Sequence, residues 1–160
     1  MKVSRKWLSS YLNIDNLSDK ELYDVFTANV CEVELMYKLS SATNLTVGEV
    51  LTCEDIEGTH LHKCNVRLDK DTVSQIVCGA PNCKAGIKVI VALPGAELPG
   101  GFKIKASKIR GIESNGMLCY LQEIGIDEKF VPEEFKNGIY IFDSSVEIAQ
   151  DPLKIYRHNP

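Results

Sequence analysis

The alternation of apolar and polar positions predicts short strands along most of the chain. Five runs have the composition and period of strands, at residues 45–51, 63–68, 73–78, 88–93 and 139–142. A sixth run, residues 31–35, alternates Cys, Val and Leu with two glutamates and predicts a strand with one solvated face. Gly, Pro, Asn and Asp residues separate the later runs. Short strands at this spacing indicate a small closed barrel or a sandwich.

The first 30 residues have a helical period instead. Val3, Trp7 and Tyr11 recur at helix spacing, and a polar break follows them. Ser18 with Glu21 three residues later is the signature of a capping box, which predicts the start of a second helix. Single helical turns are predicted at 121–124 and 132–135, and residues 151–156 could begin another helix.

Size and charge limit the functional classes. The chain has 160 residues, 44% of them hydrophobic and 25% charged, which fits one domain or one domain with a small appendage. Its net charge of −4 restricts any nucleic-acid site to a local patch. The longest apolar run, residues 89–93, is far too short to span a membrane. The N-terminus lacks the apolar stretch of a secretory signal, so we expect a cytoplasmic chain with reduced cysteines.

One basic segment stands out in this acidic chain. Lys103, Lys105, Lys108 and Arg110 fall close together, and no acidic residue follows them until Glu113. In a strand, Lys103 and Lys105 would lie on one face. Fixed cations of this kind bind phosphates, because each neutralised phosphate releases condensed counterions. The alternative is a solvated strand edge that its lysines protect from aggregation.

The turn after the basic segment adds small polar groups. Ser114, Asn115 and Gly116 offer backbone N–H groups and side chains that can approach a ribose or phosphate closely. We therefore expect this turn to extend the candidate RNA site.

Several blocks resemble one family. They are Gln-Ile-Val-Cys-Gly-Ala-Pro-Asn (75–82), Val-Ala-Leu-Pro-Gly-Ala (91–96), Leu-Pro-Gly-Gly-Phe-Lys-Ile-Lys (98–105) and Ile-Arg-Gly-Ile-Glu-Ser-Asn-Gly-Met-Leu-Cys (109–119). Together they resemble the tRNA-binding module of bacterial phenylalanine–tRNA ligase β chains. Residues 3–12 resemble the start of those chains, and residues 121–126 continue the match.

The resemblance implies a mainly β fold with an α appendage (α+β). Its centre is an OB-type five-stranded β-barrel over residues 40–148, with a helical pair and linking strand at 1–39 and a tail at 149–160. It also implies that the tRNA-facing region includes Lys105, Lys108, Arg110, Ser114, Gly116 and Met117. Lys103 and Asn115 join this set from the local pattern.

The implied function is binding rather than catalysis. The barrel would recognise tRNA backbone and shape in support of aminoacylation, with the α chain and the rest of the β chain as partners in a heterotetramer. ATP, magnesium and phenylalanine would bind elsewhere, so we expect no cofactor and no catalytic residue here. Two alternatives stay open: a free-standing tRNA-binding protein, and a protein-interaction module that has lost RNA binding.

The sequence departs from the family in two places. Residues 55–61 read Asp-Ile-Glu-Gly-Thr-His-Leu where the family usually has His-Pro-x-Ala-Asp-Lys-Leu, and the tail matches poorly.

Six cysteines raise the question of a metal. Cys78 and Cys83 flank four residues, but no second pair has matching spacing. We therefore expect a metal-free chain in which Cys64, Cys78 and Cys119 are small buried hydrophobes, as cysteines at these positions are in the resembling family. Cys83 is unusual and is expected to be a surface or loop thiol.

Overall fold

The computed structural model describes residues 2–36 and 38–156 and divides the chain into two units, Met1–Lys38 and Leu39–Pro160. The end of the predicted tail, residues 157–160, lies outside the described residues.

The first unit contains the predicted helical pair, α1 (Arg5–Ser9) and α2 (Asp19–Asn29). The capping box is confirmed, because Glu21 Oε2 accepts from the Ser18 N–H at 2.7 Å while Ser18 Oγ accepts from the Glu21 N–H at 3.2 Å. Arg5 forms an ion pair with Asp19 at 2.7 Å and ties the two helices together. The strand predicted over residues 31–35 is wrong, since the segment has no strand structure.

The second unit is a nearly closed antiparallel barrel, which confirms the predicted mainly β class. The five predicted strands correspond to β1 (Leu45–Asp55), β2 (His62–Arg67), β3 (Val73–Cys78), β4 (Lys88–Ala92) and β10 (Ile141–Phe142). Between β4 and β10 lie five strands of two or three residues: β5 (Glu97–Leu98), β6 (Phe102–Lys103), β7 (Ser107–Ile109), β8 (Ile112–Ser114) and β9 (Met117–Leu118). In the main sheet the strand order is β10–β4–β1–β2–β3. Strand β9 also pairs with β4.

Strand β1 turns the sheet into a barrel. Its first half pairs with β4 and its second half with β2, and the register with β2 shifts between Val50 and Thr52. An extra residue in one strand bends it and increases its twist. Beyond the bulge, residues 52–55 pair with residues 62–65 of β2, so β1 continues to Asp55, four residues beyond its predicted end.

The segment containing β8 and β9 closes the barrel between β3 and β4. The Asn115 N–H donates to the Gln75 carbonyl on β3 at 2.8 Å. Two residues later, Met117 pairs with Ala92 on β4. The basic segment of the sequence is therefore anchored directly to the closing edge.

Strand β4 is buried on both faces. Val89 and Val91 belong to one apolar cluster, while Ile90 and Ala92 belong to another that includes Leu121, Ile124 and Tyr156. Such two-sided burial gives a continuous apolar run, which is why β4 was predictable as a strand.

Residues after the predicted barrel boundary at 148 contribute to this unit. The Ala149 N–H donates to the Val47 carbonyl, and the Val47 N–H donates to the Gln150 carbonyl, both at 2.9 Å. The predicted last helix is present as α3 (Pro152–Ile155), capped by Asp151. A 3₁₀ turn, Glu133–Phe135, confirms the helical turn predicted at 132–135, and another spans Glu128–Phe130. Residues 121–124 form a turn rather than a helix.

Candidate nucleic-acid interface

A tight hairpin presents the end of the basic segment. Strands β7 and β8 pair through Ile109 and Ile112, leaving Arg110 and Gly111 as a two-residue loop. Both loop residues have positive φ, 50° and 80°, as a type I′ turn requires. Arg110 therefore lies exposed at the hairpin tip, and Lys108 lies exposed on its first strand.

The preceding hairpin, β5–β6, presents the other two lysines. Ile104 follows β6 and is buried, with its N–H donating to the Ala96 carbonyl at 2.9 Å. Lys103 and Lys105 flank it and are both exposed, so they face outward together as the alternation predicted. Phe102 is 60% exposed beside them. Sequence reasoning did not assign Phe102 to the site, although an exposed aromatic ring is a surface on which bases stack.

Acidic neighbours leave fewer unpaired cations in the basic segment than the sequence suggested. Glu97 lies across from Lys103 on β5, and their side chains form an ion pair at 3.1 Å. Glu113 lies across from Lys108 in the β7–β8 register. Within residues 2–36 and 38–156, Lys105, Lys108 and Arg110 form no ion pair. These three residues, which we call the basic patch, carry the available positive charge.

Ser114 is turned into the barrel. Its side chain is buried, with the residue only 2% exposed. The hydroxyl accepts from the Val77 N–H at 3.0 Å and donates to the Gly116 carbonyl at 3.2 Å. The sequence expectation placed this hydroxyl against RNA, whereas its hydrogen bonds fasten the turn to β3. Ser114 therefore shapes the surface on which its neighbours lie.

Gly116 is required by the barrel itself. Its φ is +132°, and a Cβ at this position would lie 2.8 Å from the Ala92 carbonyl oxygen. Any side chain would push β9 away from β4, so a substitution here disturbs closure before it affects an RNA contact. Met117 is half-buried in β9 and packs against the core cluster around β4.

A shallow depression lies against the hairpin. It is lined by Ala106, Ser107, Lys108, Glu113 and Asn115. Ala106 and Ser107 carry no motif, so only the folded hairpin shows that they belong to this surface. The depression places one lysine, one carboxylate and one amide side chain at the same concave spot, a set that can hydrogen-bond a ribose, whereas the Glu113 carboxylate would repel a phosphate there.

The cysteines are arranged differently from the sequence expectation. Cys64, Cys78 and Cys119 are buried as predicted, and burial raises the pKa of the Cys119 thiol to about 12. Cys83 lies in the β3–β4 loop but is also buried, at 8% exposure, so its expected place at the surface is wrong. Its Sγ lies 3.4 Å from that of Cys64 and 3.8 Å from that of Cys53.

The pKa values of two neighbouring buried cysteines are shifted away from the thiolate form. A neighbouring Cys64 thiol and burial raise the pKa of Cys83, and a hydrogen bond with Cys83 and burial raise that of Cys78. A reactive cysteine needs the opposite shift, because the thiolate is the nucleophile.

No helix in the described ranges is long and apolar enough to cross a membrane.

Comparisons with known proteins identify the family of the barrel unit. Residues 45–147 match the family model described as a putative tRNA binding domain. The chain is 46% identical over 156 residues to the phenylalanine–tRNA ligase β subunit of Halalkalibacterium halodurans, covering 96% of this chain and 19% of that protein. It is 49% identical over 142 residues to that of Streptococcus pyogenes serotype M28, covering 88% and 18%.

A crystal structure of a MetRS related protein from Pyrococcus horikoshii aligns with a TM-score of 0.47 at 25% identity, over 66% of this chain and 84% of that one. The chain spans about a fifth of the length of the curated relatives it matches. Because the family model covers most of the barrel unit and more than half of the sequence, this chain belongs to the family of putative tRNA binding domains.

Proposed function

We propose that the chain binds tRNA through the basic patch, reading phosphate backbone and shape rather than base sequence. The observation that carries this proposal is the exposure of Lys108 and Arg110 on the β7–β8 hairpin and of Lys105 in the segment before it, without ion pairs among the described residues. Phosphate contacts of this kind position a nucleic acid but carry no sequence information. Phe102 adds an exposed aromatic ring three residues before Lys105, and the depression adds a concave spot beside Lys108.

The β7–β8 hairpin holds Lys108 and Arg110 in place before RNA arrives. The Gln75 side chain donates to the Glu113 carbonyl at 2.8 Å, and Ser114 binds the β3 backbone at 3.0 Å. A short hairpin fixed at its base orders fewer groups on binding than a free loop does. Less entropy is then lost when the complex forms.

We further propose that the chain acts as the N-terminal part of a phenylalanine–tRNA ligase β chain. The support is the 46–49% identity to β subunits that are about five times longer. In that setting the chain would work in the cytoplasm with an α chain and the remainder of the β chain, as a heterotetramer. ATP and magnesium would bind outside these 160 residues, and the present surface would only hold the tRNA.

The binding proposal is tested by changing Lys105 and Lys108 together to Ala. Each phosphate contact contributes roughly −0.7 to −0.9 to the slope of log affinity against log salt, so three contacts predict a slope of about −2 to −2.7. The double variant should bind all tRNAs more weakly and reduce the slope to about −1. Preference among tRNAs should stay unchanged.

The matched control is the Lys70→Ala, Lys84→Ala pair, which removes the same charge from exposed lysines in other loops of the barrel unit. Filter binding at several salt concentrations measures both pairs. Equal affinities and slopes for the parent and the patch variant would contradict the proposed RNA site and favour a protein-interaction module. A free-standing tRNA binder predicts the same slopes, and sequencing the gene beyond codon 160 separates it from a ligase β chain.

A further inference from the structure

We propose that Cys53, Cys64 and Cys83 form a trithiolate site for a thiophilic divalent cation, Zn²⁺, at the end of the barrel where the β1–β2 hairpin meets the β3–β4 loop. The three Sγ atoms all lie within 4.8 Å of one another. This proposal is independent of RNA binding and departs from the metal-free chain expected from the cysteine spacing, because only the fold brings these three thiols together.

The distances fit a zinc thiolate centre. A Zn–S bond of about 2.3 Å implies sulfur–sulfur separations of roughly 3.8 Å in a tetrahedral site. The separations from Cys83 are 3.8 Å to Cys53 and 3.4 Å to Cys64. The Cys53–Cys64 separation is within 4.8 Å, so side-chain rotations that bring these two sulfurs closer would place all three on one ion.

The fold brings the three ligands together from separate segments. Cys53 and Cys64 are directly opposite each other in the β1–β2 register, so their side chains lie on the same face. Cys83 reaches them from the β3–β4 loop, where its N–H donates to the Ala80 carbonyl at 3.2 Å.

A neighbouring amide fixes that loop. Asn82 donates to the Ile139 carbonyl at 2.9 Å and accepts from the Ile139 N–H at 3.0 Å. The third ligand is therefore attached to the barrel rather than to a free loop, which is the arrangement that precise metal sites need.

Burial gives the site both a dry interior and an entrance. Cys64 is fully buried and Cys83 almost so, whereas Cys53 is half-buried and provides the route for the ion. Zn²⁺ in proteins is almost always four-coordinate, so a water molecule at the Cys53 side would take the fourth position.

Cys78 completes the surroundings of the site. It lies against Cys83, and its own Sγ accepts from the Ala80 N–H at 3.4 Å. Binding is a simple exchange: the ion takes the three thiolates, and their three protons leave to solvent.

The test uses the whole 160-residue chain, kept reduced with a phosphine, incubated with ZnCl₂ and desalted. Elemental analysis should find one zinc per chain, and zinc should raise the melting temperature because the folded chain holds the three thiols together and binds the ion more tightly than the unfolded chain does. Cys53→Ser and Cys83→Ala should each lower zinc affinity at least about tenfold, as the loss of a direct ligand exceeds the effect of losing a supporting group. The control Cys31→Ser, which removes the exposed thiol of the first unit, should retain one zinc.

A second measurement protects the test against misfolded variants. Co²⁺ bound to the parent chain should show intense sulfur-to-metal charge-transfer absorption, which requires thiolate ligands. Circular dichroism should show that Cys53→Ser keeps the barrel, since that side chain is half-buried. The proposal is overturned if the parent takes up no zinc, if its cobalt spectrum lacks charge transfer, or if folded Cys53→Ser binds zinc as tightly as the parent.

Discussion

Ser114 provides the sharpest separation between a structural role and an RNA contact. Replacing it by Ala removes the hydroxyl that accepts from the Val77 N–H and donates to the Gly116 carbonyl. Val77 is buried, so its N–H loses this partner where water does not readily replace it. A buried donor left unsatisfied costs about 1–3 kcal/mol.

We therefore expect Ser114→Ala to lower the free energy of unfolding by about 1–3 kcal/mol. For a unit of this size, each 1 kcal/mol corresponds to roughly 3–6 °C in melting temperature. Urea unfolding followed by far-UV circular dichroism measures the change. Ser107 pairs with Ser114 across the β7–β8 hairpin but is exposed. Ser107→Ala is therefore the matched control and should leave the urea midpoint unchanged.

The same variant discriminates between the two roles in RNA binding. Well below its melting temperature, Ser114→Ala keeps all three cations of the basic patch, so the salt slope of tRNA binding should equal that of the parent. An unchanged urea midpoint would refute the structural role of the hydroxyl. A fall in tRNA affinity at an unchanged slope and an unchanged urea midpoint would show instead that this hydroxyl contacts RNA.

Two further substitutions probe the basic patch. Arg110→Asn removes a charge but suits the positive φ of the hairpin loop, so tRNA affinity should fall while the melting temperature stays equal or rises, and Arg110→Lys should retain the affinity. Glu97→Gln releases Lys103 from an exposed ion pair worth about 0.2–1 kcal/mol, so tRNA affinity at low salt should rise up to about fivefold, whereas Glu133→Gln, in a comparable pair elsewhere, should not change it. Unchanged affinity in Arg110→Asn would show that the hairpin tip does not contact tRNA. Unchanged affinity in Glu97→Gln would show the same for Lys103.

Long strands were predictable because each one carries its own pattern. The bounds of β3 match the prediction, and β4 differs by one residue. The alternating run at 31–35 has the same local pattern but forms no strand, since a strand also needs a neighbour for its N–H and C=O groups. Strands β5 to β9 have only two or three residues, and contacts distant in sequence define them.

The candidate site was predictable in charge but not in orientation. Exposure of Lys105, Lys108 and Arg110 follows from their charge alone. The inward direction of Ser114 depends on Val77, which is 37 residues away in sequence.

The proximity of Cys53 and Cys64 was predictable from the β1–β2 hairpin, because the two residues lie symmetrically about its turn. The addition of Cys83 was not, since it depends on the folding back of the β3–β4 loop.

The charge of the patch also limits what this unit can do alone. The chain carries a net charge of −4, so long-range attraction to tRNA does not assist the encounter. Three phosphate contacts support only the range of nonspecific binding, with dissociation constants of about 10⁻⁴–10⁻⁶ M at physiological salt. Selection among tRNAs needs contacts to bases or to a distinctive shape, which three cations do not provide. The relatives it matches are about five times longer, and if the chain is part of such a ligase, as we propose, these contacts would lie outside this unit. A surface that binds tRNA weakly and without base contacts is then sufficient for this unit. A second binding contact on the same chain would raise the effective concentration of tRNA at this surface and so strengthen overall binding.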